Sequence, residues 1–144
     1  MKSIKNIVLT AAVSSVILGS LASAEVSQSV TYENQRGSTM VLTFMAGQQD
    51  NTGTLAGTFT SAVGSCAKDV GVSMPLTGYY NGNAIALSVN FPDCQVVIAM
   101  TGNLLEDQNQ IKMMFLGASP AKDPSGKDWN SNVVGTDFYN KVNH

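Results

Sequence analysis

The sequence predicts an all-β fold, an eight-stranded antiparallel up-and-down β-barrel. Three observations carry this expectation. From residue 28 onward, short runs rich in Val, Thr, Ile and aromatics alternate with clusters of Gly, Asn, Asp and Ser. Within those runs apolar side chains recur at every second position, and past the N-terminal segment no stretch sustains a 3.6-residue period. Thirteen glycines against four prolines suit many strands joined by tight turns. Eight such strands close most naturally into a barrel, which has room for packed side chains or for one small ligand. A β-sandwich is the alternative that periodicity alone leaves open.

The chain opens with Lys2 and Lys5, an apolar stretch from Ile7 to Leu21, and Ala22-Ser23-Ala24. That is the layout of a secretory signal peptide with small residues at its cleavage site. Thr10, Ser14, Ser15 and Ser20 interrupt the stretch, which is short and polar for a membrane span. An uncleaved anchor is the alternative. The expected organisation is a signal peptide over 1–24 and one barrel domain over 25–144, in a protein secreted to a periplasmic or extracellular space.

Eight strands are expected at 28–34, 38–46, 53–62, 75–80, 83–91, 95–102, 109–118 and 130–140. Turn signals separate them at Arg36-Gly37, Gln48 to Asn51, Asn81-Gly82, Pro92-Asp93 and Glu106 to Asn109. Asn81-Gly82 is the strongest, because both residues tolerate the positive φ of a two-residue hairpin. In strand five, Ile85, Leu87, Val89 and Phe91 share one face. Val96, Ile98 and Met100 do so in strand six, and Ile111, Met113, Phe115 and Gly117 in strand seven. Gly64 to Met74 reads as a long loop holding Cys66. Ser119 to Asp128 reads as another, with room for a short helical turn before Trp129.

Composition narrows the function. Hydrophobic residues make up 44% and charged ones 12%, which argues against disorder. The net charge of −2 becomes −4 once Lys2 and Lys5 are removed, so a nucleic-acid partner is not expected. The one histidine is His144. That excludes most metal sites and any serine or cysteine nucleophile with a histidine base. With no phosphate loop either, the residues point to no catalytic group, metal or cofactor, and to a binding or structural domain rather than an enzyme. In an exported chain, the pair Cys66 and Cys94 normally forms a disulfide; two buried thiols are the alternative. Bridging the 27 residues between them would remove about 3–4 kcal/mol of unfolded-chain entropy.

Six stretches stand out. They are Tyr32-Glu33-Asn34-Gln35-Arg36-Gly37-Ser38-Thr39, Gly57-Thr58-Phe59-Thr60-Ser61-Ala62-Val63-Gly64, Leu76-Thr77-Gly78-Tyr79, Ala84 to Phe91, Met100-Thr101-Gly102, and Trp129 through Gly135-Thr136-Asp137-Phe138. In that order, over nearly all of residues 25–144, they resemble the avidin and streptavidin family of biotin-binding proteins. The cysteine placement resembles the dimeric, rhizavidin-like branch. That likeness implies a disulfide tying the lid loop after strand three to the loop before strand six.

The resemblance implies a ligand set for biotin. Asn34 and Ser38 would donate to the ureido oxygen. Ser61 and Asp137 would accept from the two ureido N–H groups, with Gln35 holding Asp137 from behind. Phe91, Met100 and Phe115 stand at three tryptophan positions of the pocket wall. Trp129 stands where a ring caps the pocket of a neighbouring subunit. The departures weaken the site: Phe59 replaces a tyrosine donor, Ile98 a threonine beside the thioether, and Val96 a serine at the carboxylate. Arg36 sits near the mouth where a leucine is usual, and Gly117 replaces a bulkier apolar residue. The resemblance therefore implies a secreted small-molecule binder that holds biotin less tightly than streptavidin. The alternative is a barrel that has lost biotin and serves as a structural or interaction domain, or takes another small ligand. A homo-oligomer is expected, because Val and Met on the outer side of strands six to eight would otherwise leave an apolar patch. Trp129 favours a tetramer and the cysteine pair a dimer.

Overall fold

The computed structural model describes residues 28–105, 107–122, 125 and 131–143. The signal peptide over 1–24, Trp129 and the helical turn expected before it lie outside the described residues. Eight strands form: β1 (Ser29–Asn34), β2 (Thr39–Ala46), β3 (Thr52–Thr60), β4 (Ser73–Asn81), β5 (Ala84–Phe91), β6 (Val96–Leu105), β7 (Gln110–Ala118) and β8 (Asn132–Lys141). They pair in sequence order into a closed barrel. Closure is antiparallel between β1 and β8, with Tyr32 opposite Lys141 and Asn34 opposite Tyr139. That last ladder settles barrel against sandwich and removes both sheet edges.

Alternation places the side chains as expected. Ile85, Leu87, Val89 and Phe91 are all buried, while Ala84, Ala86, Ser88 and Asn90 between them are exposed. Several boundaries differ from expectation. β3 ends at Thr60, so Ser61 lies just past the strand. β4 starts at Ser73, not at Pro75; a proline gives no ladder donor, yet the pairing runs past it to Phe59–Met74 and Thr60–Ser73. The loop before it contains one 3-10 turn, Ala67–Asp69. β6 continues three residues beyond Gly102. There the missing Cβ admits the β7 backbone, and inward packing resumes at the buried Leu104. The β4–β5 hairpin turns on Gly82-Asn83 instead of Asn81-Gly82. Asn81 still pairs with Ala84, and only Gly82 has positive φ (58°), the pattern of a type II′ turn.

Up-and-down order puts the β1–β2, β3–β4, β5–β6 and β7–β8 connections at one end of the barrel. The other three connections close the opposite end. There the Tyr32 hydroxyl donates to the Gln108 carbonyl at 2.9 Å. Met40, Leu42, Leu55, Leu76, Ile111 and Met113 are at most 1% exposed and fill the interior above it. Each such side chain contributes about 1.5–3 kcal/mol by leaving water. This packing stops short of the first end.

Candidate functional site

A cavity of about 300 Å³ opens at that end. Its polar wall comes from the β1–β2 hairpin (Asn34, Arg36, Ser38), from Ser61 just after β3, and from Asp137 on β8. Its apolar wall is Phe59, Phe91, Val96, Ile98 and Phe115. Phe59 and Phe91 pack edge to face, ring centroids 6.0 Å apart. The β3–β4 loop lies over the mouth through Val63 to Cys66, Asp69 and Val70.

Hydrogen bonds already made inside the protein assign each polar group a role. Asn34 Oδ1 accepts the backbone N–H groups of Arg36 (3.0 Å) and Ser38 (2.9 Å). This Asx geometry shapes the turn at Gly37, whose φ is 82°, and leaves the Nδ2 group as the donor end of the amide. Ser38 Oγ accepts from Ala62 N–H at 3.0 Å, so its own O–H is available to donate. Ser61 Oγ donates to the Val63 carbonyl at 2.6 Å, so its lone pairs are available to accept. Asn34, Ser38 and Asp137 are buried, and Ser61 is half-buried.

Asp137 is held from behind by two donors on one oxygen. Gln35 Nε2 donates to Oδ1 at 3.0 Å, and Arg36 Nη2 at 2.8 Å. Gln35 Oε1 in turn accepts Phe138 N–H at 3.3 Å, which fixes which end of its amide faces the carboxylate. Oδ2 makes no hydrogen bond among the described residues and stays open as an acceptor. Tyr139 faces Asn34 across the β1–β8 ladder. Burial, reinforced by the Asp137 charge, pushes its phenol well above the ordinary value, against opposing contributions from Asn34 and Arg36. Burial also raises Tyr32. Both phenols are therefore neutral.

Cys66 and Cys94 form a disulfide, Cα atoms 5.8 Å apart. It ties the β3–β4 loop to the β5–β6 connection, the link expected from the sequence. A second tie runs beside it, where Asp69 Oδ2 accepts Cys94 N–H at 2.8 Å. The loop is therefore anchored across the mouth rather than hanging from β3 and β4 alone.

The fold brings Asn34, Ser38, Ser61, Phe91, Phe115 and Asp137 to one cavity. Met100 departs from expectation: it lies one inward position deeper than Ile98, is 4% exposed, and belongs to the packed interior against Leu87 and Phe115. The Phe115 ring occupies the space over Gly135, where a Cβ would come within 2.5 Å of Cζ. The space beside Gly117 is taken by Val133, whose Cγ1 would lie 2.8 Å from an added Cβ. Arg36 and Asp69 were not anticipated as site residues in these contacts. A loop Asp and a turn Arg are ordinary in sequence, and nothing local marks their partners. Among the described residues, no group of three or more His, Cys, Asp or Glu could hold a metal ion.

Fold and cavity together define a small β-barrel of the kind that encloses one small ligand. The chain belongs to the avidin family, whose family model matches residues 22–142. No curated protein matches it. Among solved structures it is similar to rhizavidin in complex with biotin, at 23% identity and a TM-score of 0.66, covering 85% of this chain and 98% of that one. Bradavidin matches at 25% identity and a TM-score of 0.65, covering 81% and 82%. Core-bradavidin matches at 24% and 0.64, covering 80% and 100%.

Proposed function

We propose that this protein is a non-enzymatic binder that holds biotin by its ureido ring inside the barrel, more weakly than streptavidin does. One observation carries the reading. With one Asn34 N–H directed to the Tyr139 hydroxyl, the internal hydrogen bonds leave two donors, the second N–H of Asn34 Nδ2 and the Ser38 hydroxyl, and two acceptors, Ser61 Oγ and Asp137 Oδ2, on one wall of a cavity. A cyclic urea needs that complement: its oxygen accepts two hydrogen bonds and its two N–H groups each donate one. Buried N–H groups left unpaired cost about 1–3 kcal/mol each, so the match selects for ureas over plain apolar ligands. The void itself favours a binder over a barrel filled for structure alone. A volume of about 300 Å³ is at the small end of ligand pockets.

Weaker binding follows from three apolar side chains on the cavity wall, Phe59, Val96 and Ile98. None can donate to ligand oxygen or touch sulfur through a hydroxyl. The biotin–streptavidin pair lies near the ceiling of non-covalent affinity, and each lost donor to a polar ligand atom moves away from it. We further read residues 1–24 as a signal peptide, which places the barrel outside the cytoplasm. We read the outer face of β6–β8 as an assembly surface. Val97, Met114, Leu116, Val134 and Phe138 are exposed there, and Leu116 faces Val134 across the ladder. Calorimetric titration of residues 25–144 with biotin tests the function. One site per barrel is expected, and no heat at millimolar biotin would overturn the reading.

A further inference from the structure

Among the described residues, one buried polar side-chain atom has no hydrogen-bond partner, Oδ1 of Asp69. Asp69 is 3% exposed and borders the cavity. Its other oxygen is held by Cys94 N–H. An asparagine oxygen would also accept that N–H, though more weakly, so anchoring the loop does not by itself require a carboxylate. A buried carboxylate with one oxygen unpaired is costly and calls for a reason.

Its position supplies one. Cys94 follows β5, which lies halfway round the closed barrel from β1. The polar group of Asn34, Ser38 and Asp137 belongs to β1, the β1–β2 turn and β8. A ligand whose ureido ring meets that group extends its tail past Phe91, Val96 and Ile98 toward the wall that contains Asp69. The β3–β4 loop residues that line it offer one hydroxyl, Ser65, and no cation. Arg36 is the one cation among the described residues lining the cavity, and it is paired with Asp137. A free carboxylate at the tail would meet a like charge in an apolar, poorly screened space. An uncharged amide there would meet no such repulsion.

We propose that Asp69 is a specificity-determining residue that selects an amide-linked ureido ligand over the free acid. This rests on the ureido reading of the polar wall. The test is calorimetric titration of residues 25–144 with biotin and with its primary amide. The amide should bind at least about tenfold more tightly, about 1.4 kcal/mol. Asp69→Asn keeps an acceptor for Cys94 N–H and removes the charge. It should shrink the ratio to about threefold or less, mainly by tightening the acid. Asp50→Asn, on the β2–β3 turn at the opposite end, should leave the ratio unchanged. That separates a local effect from one of net charge. Equal binding of acid and amide by the unaltered protein overturns the inference and leaves the ureido reading standing. A ratio that survives Asp69→Asn also overturns it. Binding of neither compound overturns the ureido reading and this inference with it. Should Asp69→Asn fail to fold, the unaltered protein with carboxylate, amide and primary-amine tails decides. Amide and amine must both exceed the carboxylate, and any other order overturns the inference.

Discussion

Replacing Asp137 by asparagine changes one oxygen into an N–H₂ group and almost nothing else. Where that group points is set by the protein. Gln35 Nε2 and Arg36 Nη2 both donate to Oδ1, so an asparagine must keep its oxygen on that side. The Gln35 amide cannot reverse to help, because its own oxygen accepts from Phe138 N–H. The new Nδ2 group is therefore driven into the position of Oδ2, facing the cavity. A ligand N–H would then meet a donor in place of a charged acceptor. Losing a hydrogen bond to a charged group costs about 1.5–3 kcal/mol, and the opposed donors add to that. We expect biotin to bind Asp137→Asn at least 3 kcal/mol more weakly, on the order of a hundredfold in Kd. Fold stability should change far less. Arg36 is 44% exposed on its side chain, so solvent screens the ion pair and its loss costs well under about 1 kcal/mol. Calorimetric titration reads the first number and urea unfolding the second. A loss of less than fivefold in Kd, with the fold intact, would refute the assignment of Oδ2 as the ligand acceptor.

Phe59→Tyr places a hydroxyl on the cavity wall, and if it reaches the ligand oxygen, biotin should bind tighter by about 1–2 kcal/mol in the same titration; unchanged affinity means the ring edge faces elsewhere. Thiol titration of the unfolded, unreduced protein should find no reactive cysteine. The double change Cys66→Ser with Cys94→Ser should lower unfolding free energy by about 3–4 kcal/mol in urea. Light scattering at micromolar concentration should show at least a dimer, and Leu116→Lys, centred on the exposed β6–β8 face, should yield monomers; a monomeric unaltered protein counts against that face as an interface. Stability should fall above about pH 10, because the unfolded chain ionises tyrosines there while the folded phenols of Tyr139 and Tyr32, raised by burial, do not. The raised pKa makes the contribution complete below pH 10 and lost as pH climbs, and Tyr32→Phe should flatten the alkaline limb of a pH–stability curve.

Much of the barrel is legible in the residue order. Period-two alternation is a property of the pleat, and the pleat is local. Ile85, Leu87, Val89 and Phe91 therefore announce their inward face without reference to any partner strand. The turns are nearly as clear, since positive φ at Gly37 and Gly82 needs only the glycine itself. Errors fall where a local signal competes with a ladder. Pro75 and Gly102 look like strand ends, yet the ladder to β3 carries β4 through the first, and ladders on both sides carry β6 through the second.

The chemical types of the site residues were also present in the chain: amide, hydroxyl and carboxylate beside Gly37, after Phe59 and before Phe138. Their roles as donor or acceptor were not. Ser38 and Ser61 are the same residue, and only their partners distinguish them, an N–H from Ala62 and a carbonyl from Val63. Asp137 meets Gln35 across 102 positions and Arg36 across 101, through a β1–β8 ladder that exists only once the barrel closes. Depth is decided the same way. Ile98 and Met100 share a face, but where packed interior ends and cavity begins depends on how far the side chains of all eight strands reach inward. Sequence by itself determines which side of its strand each residue takes, because neighbouring peptides enforce that. Closure and stagger of the sheet determine which residues from distant strands meet, because those contacts depend on the geometry of the whole barrel.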